Sequence, residues 1–218
     1  MSKKGPGFER EVCDRLSFWW TGDPQASVFW RTANSGGRAT VRHRKRKKTS
    51  GQHGDVCATD PCGQPFIDVF MLELKRGYTT SSIIDTIDKG ARNKPIYQKW
   101  IEKAEDSVKK CGALTWLLIH KRDGRKPMVF YRPAFFRGGV LMAEEKTILV
   151  PFQLSKVKTT TVAGMLLEDF LYHFKPEQVL GMRDDRIDNA GQLPKAPPTQ
   201  AGVGKDNLRP GRQRRREE

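Results

Sequence analysis

Two acids and a lysine in this chain are spaced so that folding could gather them into a site for phosphodiester chemistry. Glu73 and Lys75 stand two apart in the apolar run 66–75, FIDVFMLELK, and residues two apart on a β-strand point to one face. Asp55 follows Gly54 at the head of a second β-prone segment, 55–59, and the stretch 60–65 between the two is rich in turn residues. That order predicts a hairpin whose second strand is buried over much of its length. An antiparallel hairpin of this kind sets Asp55 beside Glu73. Carboxylates so placed repel each other unless a divalent cation lies between them, and hard oxygen ligands suit Mg²⁺. A cation there polarises a phosphoryl oxygen and acidifies a water. Lys75, kept charged by the neighbouring acids, can orient that water and offset charge in the transition state. Asp68 alternates to the face opposite Glu73 and is set aside. The Glu-x-Lys spacing alone says little, since Glu144-Glu145-Lys146 repeats it in a polar stretch with no acid-bearing strand beside it.

The elements around these residues must do the positioning. Phe8, Val12, Leu16 and Trp19 recur at helical spacing after a Gly-Pro-Gly start, which predicts an amphipathic helix over 8–20. Residues 28–32 are aromatic and β-branched and predict a strand. A glycine-bearing, basic loop of about twenty residues, spanning 35–54, follows; loops of that length inside a compact domain are usually functional or disordered. Helix is predicted from Ile83, broken near Gly90 and Pro95, and resumed over 96–110; strands follow over 114–120, 128–132 and 147–153. Met165, Leu166, Phe170, Leu171 and Phe174 lie on or near one face of a closing helix, most simply as core. The last segment, 183–218, has no aromatic residue and ends in an arginine cluster, which predicts a disordered basic tail after a domain spanning 1–182.

Charge points to a polyanionic partner. The 218 residues hold 40 Lys and Arg against 25 Asp and Glu, a net +15, and the pI is near 9.9. Seven of the eleven residues in 38–48 are positive and none is acidic: Arg38, Arg42, Arg44, Lys45, Arg46, Lys47 and Lys48. Such a run would grip phosphates, although a solvated loop or a localisation tag has the same composition. No apolar run approaches the length of a membrane span, so no membrane partner is expected. The N-terminus lacks the apolar stretch of a secretory signal, and four cysteines this far apart are no disulfide scaffold. A reducing, cytoplasmic setting is therefore expected. His53, Cys57 and Cys62 lack a fourth zinc ligand nearby. Trp19, Trp20 and Trp30 are more simply core or rim aromatics than base-stacking platforms.

Gly7-Phe8-Glu9-Arg10-Glu11 on the first helix, Arg31-Thr32-Ala33-Asn34-Ser35-Gly36-Gly37 after the first strand, Gly54-Asp55, and Glu73-Leu74-Lys75 together carry a family likeness. Over roughly residues 5–135 the chain resembles the PD-(D/E)XK nuclease superfamily, most of all its Holliday-junction-resolvase-like branch and similar phage endonucleases. The resemblance implies an α/β fold with a restriction-endonuclease-like core, a mixed central β-sheet flanked by α-helices. It also implies Mg²⁺-dependent cleavage of DNA leaving 5′-phosphate ends, with Mn²⁺ able to substitute. By position it gives Asp55 and Glu73 the metal, Lys75 the role of catalytic lysine, and Glu9 that of a helix glutamate joining the metal site. Arg31 and the 34–37 turn resemble a phosphate-contacting element, and Gln98 resembles a glutamine that some members place near the metal. Where many members have a proline before the first acid, this chain has Gly54. Glu9 has a bland alternative as an N-terminal helix acid, and Glu11 competes with it from the other flank of the apolar stripe.

The expectation is a Mg²⁺-dependent endodeoxyribonuclease, structure-selective or resolvase-like, acting on duplex or branched DNA. Cutting both strands symmetrically would suit a homodimer. A non-catalytic nucleic-acid-binding protein of the same fold is the alternative, but a pure binder gains nothing by placing carboxylates against phosphate.

Overall fold

In the computed structural model, which describes residues 4–32, 54–88, 94–136, 147–153 and 159–192, the elements run as follows. Helix α1 (Lys4–Thr21) leads to strands β1 (Phe29–Arg31) and β2 (Val56–Ala58), a 3-10 turn at Pro61–Gly63, helix α2 (Gln64–Val69) and strand β3 (Phe70–Arg76). Helices α3 (Asp85–Asp88) and α4 (Ile96–Cys111) precede strands β4 (Thr115–Lys121), β5 (Met128–Tyr131), β6 (Ile148–Gln153) and β7 (Thr159–Leu166). Helices α5 (Leu167–His173) and α6 (Pro176–Gln192) close the described chain. The central sheet has five strands in the order β3-β4-β5-β7-β6. Its β3–β4 pair is parallel and the others are antiparallel. This is the mixed sheet flanked by helices that the sequence resemblance implies.

Alternation along β3 divides the packing into two faces. Phe70, Leu72 and Leu74 enter a core shared with Phe8, Val12 and Leu16 of α1, Phe66 of α2, and Phe170 of α5. Met71 points the other way, into a second core with Tyr97, Trp100, Ile101 and Ala104 of α4 and with Trp116 and Leu118 of β4. Parallel neighbours need a crossover, and α4 supplies it while covering that face. Its apolar residues recur at helical spacing, and it stops at Gly112, whose φ of 78° lets the chain turn and its N–H donate to the Val108 carbonyl at 2.9 Å.

Four expectations change. The run 66–75 is not one strand: its first part is α2, with Pro65 in the first turn, where a proline is tolerated, and with Phe66 and Val69 both buried one turn apart. Asp68 lies on that helix, so it is out of the site because of helical geometry and not strand alternation. β2 does not form a hairpin with β3; it pairs antiparallel with β1, and β3 pairs with β4. Met165 and Leu166 belong to β7, whose Thr159-Thr160-Thr161-Val162 start is β-branched, and the helix begins only at Leu167. Finally, α6 runs to Gln192, so helix occupies the beginning of the segment read as a tail. Residues 193–218 lie outside the described residues.

Although β2 is not laddered to β3, the residues just before it are docked on the open edge of β3. The Asp55 N–H donates to the Leu72 carbonyl at 2.8 Å. The approach is close at Gly54, where φ is +82° and a Cβ would stand 2.4 Å from the Leu72 carbonyl oxygen. Only glycine meets both conditions. Gly77 has a similar φ of +89° but open space where a Cβ would go. Gly54→Ala should therefore destabilise the protein by more than Gly77→Ala, which carries only the backbone penalty of roughly 1–3 kcal/mol. Urea unfolding of the two variants makes the comparison, and equal losses would show that the edge contact is loose.

Candidate active site

The same docking delivers an acid to the strand. Asp55 is 8% exposed, and while its N–H holds Leu72, its Oδ2 accepts the Leu74 N–H at 2.7 Å. It thus grips β3 on either side of Glu73. Thr32, at the end of β1, secures the segment from the other side: its N–H donates to the Asp55 carbonyl at 3.1 Å and its hydroxyl to the Gly54 carbonyl at 2.6 Å.

Glu73 is 2% exposed and shares the α4-facing side of β3 with Met71 and Lys75. A buried carboxylate needs cationic or hydrogen-bonding partners, and Glu73 has two on one oxygen. Lys75 Nζ lies 2.5 Å and Lys103 Nζ 2.7 Å from Oε1. Burial works against the Glu73 charge, but the Lys75 charge and the hydrogen bonds from both lysines outweigh it and hold its pKa below the ordinary value. Asp55 goes the other way. Burial, and then the Glu73 charge, push it up to about 6, against the opposing Leu74 N–H and the two lysines. The neighbours separate the two acids, Glu73 ionising readily and Asp55 reluctantly.

The end of β3 is fixed by a buried histidine. His120 of β4 is the register partner of Lys75. Its Nε2 lies 2.7 Å from the Gly77 carbonyl and its Nδ1 2.6 Å from the Tyr97 hydroxyl. The carbonyl can only accept, so Nε2 donates and Nδ1 accepts from Tyr97. Burial lowers the His120 pKa, which keeps this neutral arrangement.

The structure thus brings together Asp55, Glu73 and Lys75, and adds Lys103, which sequence reasoning missed. Lys103 follows Trp100 by one turn on α4 and borders the stripe that packs on the Glu73 side of the sheet. A basic residue on that border was the available signal. Gln98 instead hydrogen-bonds Glu102 on its own helix at 3.2 Å. Glu9 is paired with Arg31, Oε2 to Nε 3.0 Å, and α1 packs on the face of β3 away from Glu73. Among the described residues there is no group of three or more His, Cys, Asp and Glu placed to hold a metal ion. Glu11 faces a different flank, pairing with Lys121 at 2.8 Å and Arg15 at 3.1 Å. Asp68 accepts from Gln64 at 2.8 Å and pairs with Arg183 at 3.4 Å. Arg38, Arg42, Arg44, Lys45, Arg46, Lys47, Lys48, His53 and the 34–37 turn lie outside the described residues. All four cysteines are free thiols. Trp19 and Trp20 pack on Phe66 as core and rim aromatics.

The donor set fits a hard divalent cation. Two buried carboxylates, Asp55 and Glu73, meet at one place, and carboxylate oxygens are the hard donors that such a cation takes. Among the described residues no helix is long and apolar enough to cross a membrane. The family model described as phage putative PDDEXK endonuclease matches residues 1–181. No curated protein and no solved structure matches the chain.

The raised Asp55 pKa has a definite sign in stability. Between 3.8, the ordinary value, and about 6, the folded protein binds a proton that the unfolded chain releases, so the contribution is present at low pH and lost as pH rises through about 6. Asparagine keeps an oxygen for the Leu74 N–H without the charge. In EDTA, Asp55→Asn should melt above the parent at pH values well over 6, with the difference vanishing toward pH 4. Thermal melts across this range test it, and a parent that is the more stable form at high pH would reverse the assignment.

Proposed function

Because the chain belongs to the phage PDDEXK endonuclease family, we propose that it is a Mg²⁺-dependent endodeoxyribonuclease whose site is Asp55, Glu73 and Lys75, with Glu9 assisting. The observation that carries this reading is the meeting of two buried carboxylates at the edge of β3 with the Lys75 ammonium on one of them. Mg²⁺, with Mn²⁺ able to replace it, would be held by Asp55 and Glu73 and would supply Lewis acidity toward a phosphoryl oxygen and a water. Asp55 and Glu73 fix where that chemistry happens, because each is anchored to β3. Lys75 orients the attacking water and offsets the charge that builds on the phosphoryl group. Glu9 and Arg31 act as a pair in this scheme: a DNA phosphate that takes the Arg31 guanidinium leaves the Glu9 carboxylate available to the metal site. The basic run 38–48 would grip DNA phosphates. A structure-selective or resolvase-like activity on duplex or branched DNA is what the sequence resemblance implies, and a two-fold dimer would suit paired cuts.

Incubating the purified protein with plasmid, linear, single-stranded and four-way-junction DNA in Mg²⁺, Mn²⁺, Ca²⁺ or EDTA tests the activity and the preference together. Cleavage should require Mg²⁺ or Mn²⁺ and leave 5′-phosphate ends. Glu73→Ala and Lys75→Ala should each lower the rate by on the order of 10²–10³ or more while DNA binding in Ca²⁺ survives. Lys146→Ala, in the tripeptide of like spacing, should cut normally, and near-normal turnover in either site variant would remove that residue from the mechanism. Glu9→Gln should raise the Mg²⁺ concentration needed for cleavage far more than Glu11→Gln, whose carboxylate is engaged by Lys121; the opposite order would exclude Glu9.

A further inference from the structure

Lys103 has no place in the scheme above, yet it touches the same carboxylate oxygen as Lys75. Its ammonium lies 2.7 Å from Glu73 Oε1, and its side chain is 60% exposed against 18% for Lys75. Burial works against its charge, but the hydrogen bond to Glu73 and the charges of Glu73 and Asp55 outweigh burial and raise its pKa. The two lysines differ in their freedom. Lys75 rises from β3 itself and stays next to Glu73. Lys103 reaches in from α4 on a long stem whose outer part lies in water, so it can leave without disturbing the core.

Charge balance says when it should leave. Asp55, Glu73, Lys75 and Lys103 sum to zero when all are ionised. A divalent cation held by the two carboxylates would add two positive charges, and both lysines would compete with it for Glu73. The more solvent-exposed ammonium is the cheaper one to displace, and a phosphodiester is the anion that would receive it. Resting on the metal-dependent reading above, we propose that Lys103 is an exchangeable cation of the site: it occupies Glu73 while no metal is bound, and when metal takes that carboxylate it transfers to the phosphate of the bound DNA. Lys103 would then be a catalytic residue in the loaded site and a competitor of the metal in the free protein. Metal and DNA would strengthen each other's binding through it, because each removes the other's unfavourable charge.

Calorimetric titration with Ca²⁺, with and without a duplex oligonucleotide, tests this on the full chain carrying Lys103→Met or Lys103→Gln. Removing the competing ammonium should tighten Ca²⁺ binding to the DNA-free protein by about tenfold, and the gain in Ca²⁺ affinity that DNA confers should shrink. Lys103→Arg should behave as the parent does. The salt dependence of DNA binding gives an independent reading: in Ca²⁺ the log–log slope should become shallower by about 0.9, one phosphate contact on duplex DNA, whereas in EDTA, with Lys103 held by Glu73, it should not change. Ca²⁺ affinity that is unchanged or weaker in both variants, or a slope that changes equally in EDTA, would overturn the proposal while leaving the metal site standing. A parent protein that binds no divalent cation would overturn the metal-dependent reading, and this inference with it.

Discussion

Asp55 holds the outer edge of β3 with its own backbone on one side of Glu73 and its carboxylate on the other, and the rest of the site follows from that double attachment. An open strand edge presents unpaired N–H and C=O groups that must be satisfied or covered. Here one residue satisfies a carbonyl and an amide and in doing so places its acid against a second acid. Gly54 has to be a glycine because the approach leaves no room for a side chain. Thr32 must follow β1 closely because it fastens the same segment from behind. The two-stranded β1–β2 ribbon is thereby a carrier for one carboxylate.

The second determinant is the alternation of β3. Odd-numbered Met71, Glu73 and Lys75 share a side, so the apolar core under α4 and the charged cluster are successive parts of one surface. Whichever helix covers that side is the one able to contribute charge directly to Glu73. That helix is α4, which is why a lysine from it arrives at Glu73, while Glu9, on α1 across the sheet, is paired with Arg31. Two like charges are tolerated at a buried place because cations come from the strand itself and from the helix above it.

Much of this was legible in the residues. Glu73 and Lys75 announced themselves by a spacing that only a strand turns into a shared face, and Asp55 by standing at a strand start behind a glycine. Their meeting was anticipated although the means differed, since an edge-docked segment places residues as a hairpin would. The apolar run 66–75 misled because a short stretch apolar on all sides has no period, and Pro65 at the first turn was the better guide to α2. β7 was hidden for the opposite reason: Met165 and Leu166 fall in phase with the following helix by accident of the junction. Lys103 was illegible because lysines at the border of an apolar stripe are ordinary, and only the register of α4 over β3 tells this one from Lys99 or Lys110. The family likeness named Glu9 and Gln98 from a pattern, and pairing within the chain holds them to Arg31 and Glu102.

The Leu74 amide differs from its neighbours in what it donates to. Most strand amides bond a carbonyl, whose electronic state is constant, but this one bonds the carboxylate Oδ2 of Asp55. Its proton therefore feels whether that carboxylate is ionised or protonated, and its solvent exchange measures how often the Asp55 segment lifts from the edge. A single backbone resonance thus reads out both the charge state of Asp55 and the integrity of its contact with β3, without a label on any side chain.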